Sequence, residues 1–145
     1  MDEHVKQLLD RQEIVNVTVA YTYALDTKNW TALDDVFLVD ATAMLTEELN
    51  GREAIKERVR RALDHLDVSQ HMISNHRIEI SGDTATSCCY LQAQHVREAA
   101  PGSPNFIVAG RYEDQLVRTA DGWRISHRTL VIMWTEGNPA VARQR

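Results

Sequence analysis

Between residues 3 and 25 the chain has neither Gly nor Pro, and Val5, Leu8, Leu9, Val15 and Val19 recur at helical spacings, with Tyr23 and Asp26 continuing the stripe. This pattern predicts an amphipathic helix. From Ile14 to Leu25 it becomes apolar nearly all round, so its second half is expected inside a core. A second, short helix is predicted over 30–37, with Asn29 as its N-cap and Leu33, Val36 and Phe37 on its apolar face. Residues 41–45 read as a short strand, Asn50-Gly51 as a turn, and 52–65 as a third helix with Ile55, Val59, Ala62 and Leu63 inward.

From His71 the period changes from helical to alternating. Four strand-like runs follow, at about 71–81, 84–96, 106–118 and 123–135. Gly82-Asp83 and Asp121-Gly122 supply the residues of tight hairpin turns, and Ala100-Pro101-Gly102-Ser103-Pro104 is a loop by composition. The polar tail from Gly137 onward is expected to fray. Helices first, then a meander of long strands, predict an α+β fold: a strongly twisted, curved antiparallel or mixed sheet wrapped round the N-terminal helices. A cavity is expected where the helices fail to fill the curve.

The chain has 145 residues, enough for a single domain, with a core expected over about 5–135. Its 16 basic and 21 acidic residues leave a formal charge of −5, which argues against nucleic acid or an anionic membrane surface as partner. No apolar run approaches the ~18 residues that span a bilayer. The acidic N-terminus lacks the pattern of a secretory signal, and the two cysteines, Cys88 and Cys89, are adjacent and face opposite sides of a strand. A cytoplasmic protein with reduced thiols is therefore expected. Six histidines raise the question of a metal, but HxxxH, HxH and CxxC spacings are all missing, so none is expected. Neither a GxGxxG nor a Walker-type loop is present, and no cofactor is expected. Arg58, Arg60 and Arg61, balanced by Glu53, Glu57 and Asp64, read as a solvated helix face.

Several local patterns together resemble a known family. They are Tyr21-x-x-x-x-Asp26 followed by Trp30, Leu33, Phe37 and Asp40-Ala41; Gln70-His71-Met72-Ile73-Ser74-Asn75; Gly82-Asp83-Thr84-Ala85; and Gly110-Arg111-Tyr112-Glu113-Asp114 leading to Asp121-Gly122-Trp123-Arg124-Ile125. Their order and spacing resemble the SnoaL-like branch of the nuclear transport factor two-like superfamily over about residues 5 to 135. That resemblance implies a cone-shaped, cystatin-like α+β roll with a pocket between helices and sheet. It fixes no single activity, because the fold carries dehydratases, isomerases, cyclases, dehydrochlorinases and binding modules. The nearest pattern is that of the scytalone dehydratase and bile-acid 7α-dehydratase type. The resemblance places a catalytic Asp at Asp26, a catalytic His at His71, a pocket tyrosine at Tyr21 and a second histidine at His95. It departs where those enzymes carry a tyrosine on the early strand, which is Leu45 here, and an arginine on the last strand, which is Ile132 here. Related cones assemble through their outer sheet face, so a homo-oligomer, dimer or trimer, is expected.

An Asp beside a His is a general acid–base unit. The carboxylate fixes the imidazole tautomer and stabilises its cation, and the far ring nitrogen becomes a positioned base. Such a pair supports elimination of water, double-bond migration or ring closure without a metal. The roles expected are His71 as base, Asp26 as its orienting partner, and Tyr21 or His95 as donor to a substrate oxygen. Tyr21 and Asp26 stand about 140° apart on an ideal helix, so Tyr23, three residues from Asp26, competes for the pocket position. His76 is five residues from His71 on one strand and is expected on the opposite face. Trp30, Phe37, Met44, Leu45, Met72, Phe106 and Trp134 are the candidate pocket walls, and an apolar wall suits a small hydrophobic, oxygenated ligand.

Overall fold

In the computed structural model, which describes residues 1–143, Asp2 opens the first helix by accepting hydrogen bonds from the backbone N–H of His4 (2.7 Å) and Val5 (3.4 Å). This helix, α1, runs Glu3–Asp26. Its buried stripe is Asp10, Ile14, Val17, Thr18, Tyr21, Thr22 and Leu25, not the stripe expected from Val5, Leu8 and Leu9, which are exposed. Residues 1–9 are all exposed, so the apolar side chains of the first two turns lie outside the core. The second half is buried on one side only, since Asn16, Ala20 and Tyr23 face solvent.

A 3₁₀ turn, Trp30–Asp35, replaces the predicted short α-helix, and Asn29 makes no side-chain cap to it. The strands are β1 (Phe37–Met44), β2 (Glu48–Asn50), β3 (Val68–Ser81), β4 (Thr84–Val96), β5 (Asn105–Thr119) and β6 (Gly122–Gly137), with the second helix, α2 (Arg52–Leu63), between β2 and β3. The three-residue β2 carries no sequence period long enough to announce it. All six strands form one curved sheet in the order β2-β1-β6-β5-β4-β3. The β1–β6 pair is parallel and the other pairs are antiparallel. Register shifts within β3–β4 and β5–β6, one extra residue at each, mark bulges, and the parallel β1–β6 pairing is interrupted between Phe37 and Thr42. Bulges bend strands and raise local twist. At one of them Gly110 is obligatory, because a Cβ there would sit 2.0 Å from the Val131 carbonyl oxygen.

Alternation puts Ala85, Ser87, Cys89, Leu91, Ala93 and His95 of β4 on the concave face, under α1 and α2. Cys88 and Cys89 are free, as their opposed directions require. The end of the chain is tied down rather than frayed. Residues Pro139–Val141 form a 3₁₀ turn, Val141 is fully buried, and Arg97 donates to the Ala140 carbonyl at 2.9 Å. Gln144 and Arg145, the last of the expected tail, lie outside the described residues.

A polar clasp joins α1 to the β5–β6 hairpin. The buried Asp10 carboxylate accepts two bonds from Arg118 (2.6 and 2.9 Å) and one from the Trp123 indole N–H (3.2 Å), with the guanidinium 4.6 Å from the Trp123 ring centroid. The Arg118 bonds hold the Asp10 carboxyl below its usual range despite the opposing effect of burial. A lowered folded-state value means that this contribution is complete above about pH 4 and is lost as pH falls through the folded value. Asp10→Ala is expected to cost about 2 kcal/mol in urea unfolding at neutral pH. The difference from the native chain should shrink as the pH is lowered below 4; a gap independent of pH contradicts this account.

Candidate active site

Helix α1 continues unbroken to Asp26 and delivers its carboxylate to the start of β3. There it accepts three hydrogen bonds: from the His71 ring (Nδ1 to Oδ1, 2.6 Å), the His71 backbone N–H (to Oδ2, 2.8 Å) and the Ser69 hydroxyl (2.9 Å). Ser69 and His71 are two apart on one strand and so face the helix together. Burial raises the cost of the Asp26 charge, but the ring, backbone and hydroxyl donors outweigh it, and the carboxyl is held below its usual range. An ionised carboxylate only accepts, so His71 carries a proton on Nδ1, and in the neutral ring Nε2 bears the lone pair. The His71 side chain is only 5% exposed.

His71 lines a cavity of about 450 Å³ between the helices and the concave sheet. Leu25, Leu45, Val59, Leu63, Leu91, Ala93, Val108, Leu130 and Ile132 give it apolar walls, and Tyr21, Tyr112, His71 and His95 give its buried polar groups. His95 stands on β4 beside His71, with ring centroids 6.1 Å apart. Its Nδ1 reaches the carbonyls of Ala93 (3.0 Å) and Phe106 (3.2 Å). Carbonyls only accept, so Nδ1 holds the proton and Nε2 is again the lone-pair nitrogen. Burial, and after it the neighbouring His71, holds His95 below the usual imidazole range. In this tautomer the neutral ring presents Nε2 as a hydrogen-bond acceptor.

Tyr21 is 2% exposed and lines the cavity, whereas Tyr23, its competitor, is 68% exposed and points to solvent. Tyr21 need not share the helix face of Asp26, because Asp26 reaches the cavity through His71. Its ring meets Phe37 and Tyr112 edge-on, at 5.8 and 5.6 Å between centroids. The Arg128 guanidinium lies 4.3 Å from the Tyr21 ring centroid and 3.9 Å from that of Tyr112. Burial pushes the Tyr21 phenol above its usual range, with Arg128 opposing, so it stays a neutral donor.

Of the seven expected wall residues, Leu45 lines the cavity, and Phe37 is fully buried in the core without lining it. Trp30 packs against the core, Met44 is half-buried, and Phe106 flanks His95 at 6.0 Å between ring centroids; none of the three lines the cavity. Met72 and Trp134 are exposed, because alternation turns Met72 away from the face used by His71 and the β5–β6 bulge leaves Trp134 outside. His76 also departs from expectation. A bulge at Asn75 (φ 59°) shifts the β3 register, so His76 faces α1 like His71, and its Nε2 lies 2.9 Å from the Thr18 hydroxyl. That hydroxyl already donates to the Val15 carbonyl, so His76 is the donor in a structural bond. Tyr112, Val108 and Leu130 were missed because nothing in an alternating strand says which inward residues border empty space. Arg58 was also missed, although it stands three residues after Ile55 on the inward side of α2. Among the described residues, no group of three or more His, Cys, Asp or Glu is placed to hold a metal.

A curved sheet with helices over its concave face, an apolar cavity between the two layers and the Asp26–His71 pair at the cavity wall define a cone-shaped α+β roll. The chain belongs to the SnoaL-like domain family, whose sequence profile matches residues 6–129. It is 33% identical over 130 residues to the uncharacterized protein Rv2910c of Mycobacterium tuberculosis, with 86% of each chain covered. It is 30% identical over 141 residues to the terrestric acid biosynthesis cluster protein E of Penicillium crustosum, covering 92% of this chain and 90% of that one. Among solved structures, Kfla4162 of Kribbella flavida superposes with a TM-score of 0.87 at 27% identity, covering 95% and 99% of the two chains. A putative scytalone dehydratase of Novosphingobium aromaticivorans shares the fold with a TM-score of 0.81 at 23% identity, covering 90% and 88%. No helix among the described residues is long and apolar enough to cross a membrane.

Proposed function

We propose that the protein is a cofactor-independent lyase or isomerase acting on a small hydrophobic, oxygenated molecule. The observation that carries this reading is the 2.6 Å contact between Asp26 and His71 Nδ1, made by a histidine that lines an apolar cavity. His71 Nε2 takes a proton from a carbon beside a carbonyl, Asp26 stabilises the imidazolium that forms, and the Tyr21 hydroxyl donates to the oxygen that gains charge. The proton then returns to a leaving hydroxyl, giving loss of water, or to another carbon, giving double-bond migration. His95 Nε2 accepts from a substrate hydroxyl and so orients it. The biosynthetic-cluster relative from Penicillium crustosum supports a substrate of secondary-metabolite type.

The test is solvent exchange. Wild-type protein in deuterium oxide, offered cyclic β-hydroxy ketones and their enones, is expected to place deuterium at the carbon beside the carbonyl. Mass spectrometry reads the label. A ligand that binds in the cavity without any label entering it replaces the catalytic reading with that of a binding module.

A further inference from the structure

The polar groups of the cavity fall at two depths. Tyr21 and His71 are almost wholly buried, whereas Arg58 and Arg61 of α2 border the same space with side chains 24% and 50% exposed. The arginines therefore stand at the mouth and the acid–base pair at the floor, with apolar wall between. Both guanidiniums converge on one carboxylate oxygen, Glu47 Oε1, from Arg58 Nε at 3.1 Å and Arg61 Nη2 at 2.9 Å. Arg58 also donates to the Thr46 hydroxyl at 3.0 Å. Glu47 is half-exposed on the β1–β2 turn, where Thr46 takes a φ of 69°, a left-handed conformation unusual for a β-branched residue.

The two guanidiniums share a single carboxylate oxygen at the border of an otherwise largely apolar cavity. We propose that Arg58 and Arg61 form an anion subsite at the cavity mouth, and that the substrate is an apolar molecule with a carboxylate tail remote from the reacting carbon. Glu47 stands in for that carboxylate. The ligand's carboxylate shares or displaces Glu47 on the guanidiniums, whose planar donor pairs match carboxylate geometry. This inference deepens the proposed function and rests on the same cavity being the ligand site, but it does not require turnover.

Titration calorimetry with a matched pair of probes, 4-(2-naphthyl)butanoate and the corresponding primary amide, tests it. Wild type is expected to prefer the carboxylate by about tenfold or more, with the preference shrinking as salt rises from about 50 to about 500 mM. Arg58→Gln with Arg61→Gln brings the carboxylate down to the amide's affinity, and Glu47→Gln strengthens carboxylate binding without changing the amide. Thermal melts run alongside confirm that each variant is folded. His71→Ala keeps the preference, because the subsite does not depend on the base; a wild-type protein that prefers the carboxylate but gives no exchange fails the catalytic reading alone, and exchange without the preference fails the subsite alone. Equal affinities in wild type, a preference for the amide, no gain in Glu47→Gln, or binding of neither probe at millimolar concentration overturns the proposal.

Discussion

His71→Ala is expected to lower deuterium exchange into a carbonyl ligand by about 10²–10⁴-fold, the range over which a positioned general base contributes. The protein should remain folded and should still bind the ligand. Asp26 loses its ring partner in this variant, but it keeps the residue-71 backbone N–H at 2.8 Å and the Ser69 hydroxyl at 2.9 Å. Its carboxylate is therefore not left without donors, and no buried charge is stranded. Asp26→Asn makes a complementary change. It leaves the ring in place and removes the charge that stabilises the imidazolium, while the amide can present either an acceptor or a donor to Nδ1. A comparable loss of exchange is expected from it, with ligand affinity nearly unchanged. Exchange within about threefold of wild type in His71→Ala would remove His71 from the mechanism.

The family resemblance pointed to this pair, and it could be carried onto these residues because Asp26 ends a long Gly- and Pro-free helix and His71 lies in the regular first stretch of β3, before its bulge. His76 shows where such reasoning ends. Counting by twos puts it opposite His71, and one extra residue at Asn75 reverses that, with no composition cue beyond an asparagine tolerant of positive φ. The first turns of α1 mislead for a different reason. Val5, Leu8 and Leu9 have helical spacing, but burial depends on whether the sheet extends beneath them, which is a tertiary property. The tail was misread because polar composition hides single anchors: Val141 is fully buried, and the Asn138 amide donates to the carbonyls of Pro101 and Ser103 at 2.8 Å each. Arg128 is the most instructive. An arginine in a strand of alternating pattern reads as outward-facing, yet this one is wholly buried behind the cavity floor.

Asp114→Ala is accordingly expected to be among the most damaging single changes, at about 3–5 kcal/mol. Asp114 on β5 and Arg128 on β6 are register partners, both with side chains 0% exposed, joined by two bonds of 2.7 and 2.8 Å. Burial by itself favours the neutral guanidine, but Asp114 more than offsets this and keeps the group charged. Without the carboxylate a full positive charge stays in the core against the faces of Tyr21 and Tyr112, and among the described residues its Nη1 already lacks a hydrogen-bond partner. A loss of that size consumes much of the roughly 5–15 kcal/mol that holds a domain folded. Urea unfolding should show the midpoint fall steeply in Asp114→Ala. The double variant Asp114→Leu with Arg128→Met removes both charges and fills the space with apolar groups, so it should be markedly more stable than Asp114→Ala alone. If the single change costs less than about 1 kcal/mol, or the double is the less stable of the two, the pair is not an obligate buried couple. The double variant also separates stability from placement of the floor. With the chain folded but no guanidinium against the Tyr21 ring, the phenol loses one of the contacts that orient it, and exchange should fall even though His71 and Asp26 are untouched.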